Sequence, residues 1–341
     1  MSGRVELAPG YAVPPVIVGG WQHATGHSAA PVERDRLFRR WAAMTEQGLD
    51  TFDCADIYTG VEALIGDFMR ATGRRVQVHT KFVPDRSALA GIDKPYVERI
   101  VDRSLARLGV ERLDLVQFHW WDYGVPGMVE TAGWLDELRR AGKIRLLGVT
   151  NMDTQRLRAL LDAGVPAVSN QVQYSVLDRR PTQGMAALCQ ERGVSLLCYG
   201  TVAGGFLAEA WRGAPDPVAQ ENRSQVKYRL IIEECGGWPA FQQLLDALAG
   251  VAARRHADLS AVATRWVLGQ PAVAAAIVGM RSDRSVESAL RILDLELDQH
   301  DRQSIAAAVP QTPPGDVYEL ERVSGSAHAA IMKYDLNREV G

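Results

Sequence analysis

Short apolar runs rich in β-branched residues alternate along this 341-residue chain with longer segments whose apolar positions follow helical periodicity. Segment 96–108 is typical of the helical kind, because its apolar residues recur at the spacing of one helix face. Eight runs have the length and composition of strands: Val16–Val18, Thr51–Cys54, Val76–Thr80, Leu113–Phe118, Arg145–Val149, Ala167–Gln171, Ser195–Cys198 and Ala275–Val278. Eight strands that alternate with helices predict a (β/α)₈ barrel.

A doubly wound open sheet is the alternative, and it usually carries a G-x-G-x-x-G turn after an early strand. The sequence contains neither that turn nor a Walker-type phosphate loop. We therefore expect an α/β protein, a TIM barrel over residues 16–308 within a single domain, 1–341. The surplus length falls into an N-terminal lead (1–15), a long loop after the seventh strand (200–237) and a C-terminal extension (309–341), which we expect to dock near the barrel mouth.

Charge and composition argue against several classes of protein. The 38 basic and 41 acidic residues give a net charge of −3, which is too even for a nucleic-acid groove or an anionic-membrane surface. Four cysteines and 7 histidines show no zinc-binding spacing, so we expect no metal. The N-terminus lacks the apolar region of a signal peptide, and the most apolar late stretch, 261–280, is interrupted by polar residues. These features predict a cytoplasmic enzyme.

Polar residues follow the carboxyl ends of the predicted strands, where the active sites of TIM barrels lie. Asp53 ends the second strand and Tyr58 comes shortly after it, while Lys81 and His119 follow the third and fourth strands. Each alone has an ordinary explanation, such as a helix cap, a solvated charge or a core histidine. Ionisable groups at consecutive strand ends are rarely left uncompensated, so together they predict an active site.

These four groups suit a redox reaction between a carbonyl and an alcohol. Lys81 can pair with Asp53, and its positive charge beside Tyr58 should lower the tyrosine pKa from its usual value of about 10. Such a tyrosine exchanges a proton with a carbonyl or alcohol oxygen, to which His119 would donate a hydrogen bond. Because no side chain supplies a hydride, a cofactor must do so.

Several motifs are similar to those of the aldo-keto reductase family, in order along the chain from about Val16 to Leu297. They are FDCADIY at 52–58, HTKF at 79–82, FHWWD at 118–122, GVTN at 148–151, NQVQYS at 170–175 and YGTVAGGFL at 199–207. Members of that family are (β/α)₈ barrels that reduce aldehydes and ketones with NADP(H), less often with NAD(H). The resemblance implies a small-molecule carbonyl or alcohol substrate.

The resemblance also assigns roles to individual residues. Tyr58 becomes the general acid/base, Lys81 and Asp53 the pair that tunes it, and His119 the residue that orients the substrate carbonyl. Cofactor contacts fall on Thr150, Asn151 and Gln171 for the nicotinamide carboxamide, Tyr199 for stacking on the ring, and Gly200, Thr201 and Gly204 for the pyrophosphate turn. Trp21 and Trp120 resemble the walls of the substrate pocket, with ordinary packing at the barrel end as the alternative for both.

The adenosine end departs from the family pattern. Family members usually carry arginine or glutamine at the position of Ser285, and a Glu-Asn pair at the position of Ser288-Ala289. Arg281 or Arg284 would then have to pair with the 2′-phosphate. We expect NADP(H) to be preferred and NAD(H) to be the alternative cofactor.

Three further expectations complete the prediction. The loop after the seventh strand is rich in cations and would act as a lid over the pyrophosphate, unless it is only a solvated insertion. A Schiff-base lyase that uses Lys81 as nucleophile is an alternative activity, which the neighbouring Asp53 disfavours. A regulatory subunit that binds the cofactor and turns over slowly is the other alternative.

Overall fold

The computed structural model describes residues 3–25, 33–220, 222–280 and 282–337. Its ten strands are β1 (Val5–Ala8), β2 (Tyr11–Val13), β3 (Val16–Gly19), β4 (Thr51–Asp53), β5 (Gln77–Phe82), β6 (Leu113–Phe118), β7 (Ile144–Thr150), β8 (Ala167–Gln173), β9 (Ser195–Tyr199) and β10 (Val273–Gly279). Strands β3 to β10 form a closed parallel barrel, in which β10 pairs with β3. Each predicted strand overlaps one barrel strand, so the TIM-barrel prediction is confirmed.

Helices cover the outside of the barrel and continue into the C-terminal extension. They are α1 (Arg34–Glu46), α2 (Val61–Thr72), α3 (Lys94–Leu108), α4 (Met128–Arg140), α5 (Thr154–Asp162), α6 (Met185–Arg192), α7 (Arg223–Glu234), α8 (Gly237–Arg255), α9 (Leu259–Leu268), α10 (Asp283–Asp294), α11 (Gln299–Ala308), α12 (Glu319–Arg322) and α13 (Ala327–Ala330). Within the described ranges, none of them has the length and apolar composition to cross a membrane.

Local sequence signals set the helix ends that flank the site. Asp153 is the N-cap of α5, and its carboxylate accepts a hydrogen bond from the backbone N–H of Arg156. Gly109 ends α3 at φ 68°, in the left-handed region where glycine has no Cβ penalty. These caps fix where the chain turns between β6, β7 and their helices, and so hold the residues at the strand ends in place.

The N-terminal lead closes the bottom of the barrel. Strands β1 and β2 form an antiparallel hairpin whose apolar side chains pack against Ile17, Leu115 and Leu197 of the barrel interior. The hydroxyl of Tyr11 lies 3.1 Å from Nε2 of His79, and both residues are buried. Because the hairpin closes one end, the end at which the strands finish is the open end of the barrel.

The C-terminal extension crosses that open end, as expected. The ring of Tyr318 lies edge-on to the imidazole of His119, with 5.9 Å between the ring centroids. Farther along, the backbone N–H of Asn337 donates a hydrogen bond to Asp85 Oδ1, and its side-chain amide donates to Asp56 Oδ2. The extension is therefore anchored on both sides of the site.

The segment after β9 is a packed, helix-bearing connection rather than a free cationic loop. The four cations of this segment that suggested a lid each contact another group of the protein: Arg212 contacts Asp246, Arg223 the carbonyl of Ile331, Lys227 Glu321 and Arg229 Asp216. Two of these bonds join α7 to the C-terminal extension. The cations therefore tie this segment down in the structure.

Candidate active site

A buried ion pair lies at the centre of the site. Lys81 Nζ is 2.9 Å from each carboxylate oxygen of Asp53 and 2.7 Å from the carbonyl oxygen of Cys54, and the two charged side chains are 5% exposed. Burial opposes the charge on Lys81, but the Asp53 carboxylate outweighs burial and raises the lysine pKa above its usual value. Lys81 is therefore a fixed ammonium and a poor nucleophile.

Tyr58 lies beside this pair. Lys81 Nζ is 4.9 Å from the centroid of the tyrosine ring, and the ring of Trp21 is 4.8 Å away on centroids. Burial raises the pKa of Tyr58 above 10.0, and the Lys81 ammonium offsets this only in part. The expectation of a lowered pKa is thus wrong in sign, because the sequence shows the nearby cation but not the desolvation. Tyr58 is a protonated hydroxyl at neutral pH.

Two glutamines complete the hydrogen bonding of Asp53. The amide nitrogen of Gln171 donates to Asp53 Oδ1 at 2.6 Å and to Gln117 Oε1 at 3.0 Å, while Gln117 Nε2 lies 3.3 Å from the same Asp53 oxygen. Sequence reasoning missed Gln117. The available signal was its place in β6, two residues before His119.

His119 is held through one ring nitrogen. Its Nδ1 lies 2.9 Å from the carbonyl oxygen of Thr150, and its Nε2 is buried with no hydrogen-bond partner in the described part of the chain. Burial lowers the His119 pKa to about 3, and the positive charge of Arg322 acts in the same direction. The imidazole is therefore neutral.

The two tryptophans assigned to the pocket wall differ in position. Trp21 contacts Tyr58 and fits that role. Trp120 is 0% exposed, and its indole N–H donates to the carbonyl of Val125, which is the packing role considered as the alternative. The aromatic ring against His119 is instead Trp121, with centroids 4.3 Å apart. Sequence reasoning did not identify Trp121, or Tyr318 of the C-terminal extension, as an aromatic neighbour of His119.

The predicted nicotinamide end offers a matched pair of polar atoms. Asn151 adopts φ 55°, and its Oδ1 accepts a hydrogen bond from the Tyr199 hydroxyl at 2.9 Å. Among the described residues the side-chain nitrogen Nδ2 of Asn151 and the side-chain oxygen Oε1 of Gln171 have no hydrogen-bond partner. One donor and one acceptor suit a carboxamide. Thr150, by contrast, directs its hydroxyl to the backbone carbonyl of Gln171.

The predicted pyrophosphate turn is covered by α7. A Cβ added at Gly200 would lie 2.2 Å from the Tyr228 hydroxyl, and one at Gly204 would lie 2.6 Å from a Tyr228 ring carbon. Thr201 is buried, with its hydroxyl 3.1 Å from that of Thr264. The glycines therefore make room for Tyr228 in this structure.

Lys227 of α7 covers the ring predicted to stack on nicotinamide. Its Nζ lies 5.0 Å from the centroid of the Tyr199 ring and 3.4 Å from the Tyr199 hydroxyl. The same ammonium is 3.6 Å from Glu321 of the extension. Thus α7 and the extension meet over the position assigned to the cofactor.

At the predicted adenosine end, the positions where family members usually carry polar or charged side chains hold other residues in this chain. Ser285 is engaged in the capping box of α10, and Ser288 donates to Asp258 Oδ1 at 2.8 Å. Ala289 is buried. Arg284 is exposed at the start of α10, whereas Arg281 lies outside the described residues. Arg284 is the predicted phosphate ligand whose position is known.

A sequence model of the Aldo/keto reductase family matches residues 15–310. The chain belongs to that family, and the closed barrel with its strand-end residues agrees with the assignment. It is therefore placed among the oxidoreductases.

Known relatives and solved structures show the same relationship. Flagellar radial spoke protein 5 of Chlamydomonas reinhardtii is 30% identical over 255 residues, which are 62% of this chain and 48% of that protein, so the chain spans about half of it. The NADH-specific methylglyoxal reductase of Escherichia coli (strain K12) is 24% identical over 275 residues, 74% of this chain and 81% of that protein. The crystal structure of an aldo-keto reductase from Klebsiella pneumoniae in complex with NADPH has a TM-score of 0.70 and 25% identity, over 92% of this chain and 96% of that one.

Proposed function

We propose that this protein reduces an aldehyde or ketone to an alcohol with NAD(P)H, or catalyses the reverse oxidation, with Tyr58 as the general acid/base. The observation that carries the proposal is the buried Lys81–Asp53 pair, whose ammonium lies 4.9 Å from the Tyr58 ring centroid. A fixed cation there stabilises the phenolate that forms when Tyr58 gives up its proton.

Each residue has a defined task in this reaction. In reduction, the Tyr58 hydroxyl donates its proton to the carbonyl oxygen, and in oxidation the phenolate takes a proton from the alcohol. Asp53 and the carbonyl of Cys54 hold Lys81 in position. The bound dinucleotide supplies or accepts the hydride. Trp21 shields Tyr58 on one side, which excludes water from the proton transfer.

We infer NADP(H) as the preferred cofactor and NAD(H) as the alternative. The side-chain nitrogen of Asn151 and the side-chain oxygen of Gln171, which have no partner among the described residues, would bind the carboxamide, which both dinucleotides share. Arg284 would pair with the 2′-phosphate, which only NADP(H) carries. Support comes from the Klebsiella pneumoniae relative with NADPH, and the NADH-specific Escherichia coli relative supports the alternative.

Replacing Tyr58 by Phe tests the mechanism. We expect Tyr58→Phe to lose carbonyl-dependent oxidation of NADPH by about a hundredfold or more, because general acid catalysis is removed. Dinucleotide binding, measured by quenching of tryptophan fluorescence, should persist. Tyr96→Phe, at a half-buried tyrosine on α3, is the matched control. Turnover retained in Tyr58→Phe would contradict the mechanism.

Two alternative activities give different results in the same assays. A Schiff-base lyase would be trapped on Lys81 by borohydride in the presence of a carbonyl substrate. The three oxygen acceptors around Lys81 Nζ argue against it. A regulatory subunit would bind the dinucleotide in the wild-type protein without appreciable turnover.

A further inference from the structure

One side chain of the C-terminal extension bonds the backbone of two residues in an uncommon conformation. Asn151 has φ 55° and Tyr318 has φ 60°, in the left-handed region that residues other than glycine rarely adopt. The guanidinium of Arg322 donates to the carbonyl oxygen of each, at 2.6 Å to Asn151 and 3.2 Å to Tyr318. Such a conformation costs free energy and persists only where surrounding contacts hold it. Arg322 supplies one of these contacts to both residues.

The guanidinium of Arg322 is itself held in one place. Its Cζ lies 4.1 Å from the centroid of the Tyr123 ring and 5.1 Å from that of the Tyr318 ring. In the described part of the chain, no carboxylate lies within ion-pair distance of it. Because the charge rests against aromatic faces and not against an acid, the N–H groups are available for the two carbonyls.

Asn151 is thereby fixed at three points. Its backbone N–H donates to the carbonyl of Gln171 at 2.8 Å, and its own carbonyl accepts from Arg322. Its side-chain Oδ1 accepts from the Tyr199 hydroxyl at 2.9 Å. The remaining polar atom, Nδ2, is the one assigned to the nicotinamide carboxamide. Since the backbone conformation sets the direction of a short side chain, a contact that holds this φ also directs Nδ2.

We propose that Arg322 is a positioning residue for the cofactor: by bonding the Asn151 carbonyl, it keeps Nδ2 directed at the nicotinamide carboxamide. The inference rests on the proposed function, in which Asn151 binds that group. Arg322 acts only through Asn151. The C-terminal extension then contributes to the cofactor side of the site, although it lies outside the strands and loops to which the cofactor contacts are assigned.

Two ligands that differ only in the nicotinamide test this role. 2′-Phospho-ADP-ribose is NADPH without its nicotinamide ring, and each is titrated by calorimetry into the full-length protein. We expect Arg322→Met to raise the Kd of NADPH about tenfold and to leave that of 2′-phospho-ADP-ribose within about twofold of the wild type. A rise of both Kd values by the same factor, or an unchanged Kd of NADPH, would overturn the proposal.

Arg156→Met is the matched control. Arg156 lies over the same Tyr123 ring, at 4.6 Å, but its guanidinium contacts Gln155 and Asp153. We expect this variant to bind both ligands as the wild type does. A loss of NADPH affinity equal to that of Arg322→Met would assign the effect to packing on Tyr123 and overturn the role of the carbonyl bond.

Arg322→Lys covers the case in which Arg322→Met does not fold. It keeps a cation for the aromatic rings, but an ammonium lacks the planar fork that reaches both carbonyls. We expect the Kd of NADPH to rise about threefold in this variant and that of 2′-phospho-ADP-ribose to stay at the wild-type value. Wild-type affinity for NADPH in Arg322→Lys would overturn the need for the two-carbonyl bond.

Hydrogen exchange in the protein without ligand tests the contact independently of the cofactor. The Asn151 N–H should exchange about tenfold faster in Arg322→Met than in the wild type. The Cys54 N–H, which bonds the carbonyl of His79, should keep its wild-type rate and so exclude a general loosening. Equal acceleration of both amides, or none at Asn151, would overturn the proposal.

Failure of the proposed function gives a different result. A wild-type protein that binds neither NADPH nor NADH in the calorimeter contradicts the proposed function and, with it, a cofactor role for Arg322. NADPH binding by the wild type that is unchanged in Arg322→Met contradicts this inference alone.

Discussion

The amide nitrogen of Gln171 lies 2.6 Å from Oδ1 of Asp53, so a residue assigned to the cofactor also holds the carboxylate that fixes Lys81. The oxygen of the same side-chain amide has no partner among the described residues and is suited to bind a carboxamide. The cofactor position and the proton-donating tyrosine are thus linked through two hydrogen-bonded side chains.

This link predicts that Gln171→Leu weakens both stability and dinucleotide binding. We expect the free energy of unfolding to fall by about 1–2 kcal/mol and the Kd of the dinucleotide to rise about tenfold. Gln117→Leu is the control, because Gln117 also bonds Asp53 but is not assigned to the cofactor. Equal changes of Kd in the two variants would show that Gln171 acts only through Asp53.

The raised pKa of Tyr58 predicts an alkaline limit for reduction. The hydroxyl must be protonated to act as the acid, and burial keeps it protonated beyond the usual value of 10.0. We therefore expect kcat/KM for carbonyl reduction to stay level as pH rises from neutral and to fall only above about pH 10. A fall centred near neutral pH in the measured profile would mean that Lys81 outweighs burial.

The raised pKa of Asp56 predicts that the free energy of unfolding depends on pH. It is buried, and burial together with the charge of Glu62 raises its pKa from 3.8 to about 8. The folded state therefore binds this proton more tightly than the unfolded chain. The stabilisation of the folded state by protonated Asp56 is fully present below about pH 4 and is lost as pH rises through about 8.

Asp56→Asn should remove that dependence. We expect the unfolding free energy, measured in urea, to fall less between about pH 5 and about pH 8 in the variant than in the wild type. The two declines should differ by up to about 4 kcal/mol. The surface variant Asp102→Asn should decline as the wild type does. A wild-type stability that is the same at both pH values would contradict the shifted pKa.

Sequence reasoning succeeded where a short pattern determines the structure. Strand composition located every barrel strand, and the order of polar strand ends brought Asp53, Lys81 and Tyr58 together. The sign of the Tyr58 pKa shift escaped it, because burial depends on the whole assembled barrel. The contacts of Asn337 with Asp85 escaped it too, since these residues lie 252 positions apart and share no pattern.

Arg284 should discriminate between the two dinucleotides. Its guanidinium is exposed and has no carboxylate partner among the described residues, so a 2′-phosphate can approach it. We expect Arg284→Ala to raise the Kd of NADPH about tenfold while leaving that of NADH nearly unchanged. Arg291→Ala, on the same helix beside Asp258, is the control. An equal loss for both dinucleotides would exclude a phosphate contact.

The contact between Glu321 and Lys227 predicts that the extension and α7 are held together by charge. Glu321 is fully buried, and despite its burial Lys227 and Arg180 hold its pKa at about 2. Its stabilising effect is present above the usual pKa of 4.5 and is lost as pH falls through about 2. In Glu321→Gln, Lys227, whose side chain is only 15% exposed, loses its carboxylate partner, which should cost about 3 kcal/mol of unfolding free energy near neutral pH.

Proteolysis shows whether that loss frees the extension. We expect limited protease digestion of Glu321→Gln to cut the C-terminal segment faster than in the wild type, because the bond from α7 to α12 is weakened. Glu319→Gln, at an exposed position of the same short helix, should be cut at the wild-type rate. If both variants match the wild type in stability and cleavage, the contact of Lys227 with Glu321 does not hold the extension, and its anchors lie instead at Asn337.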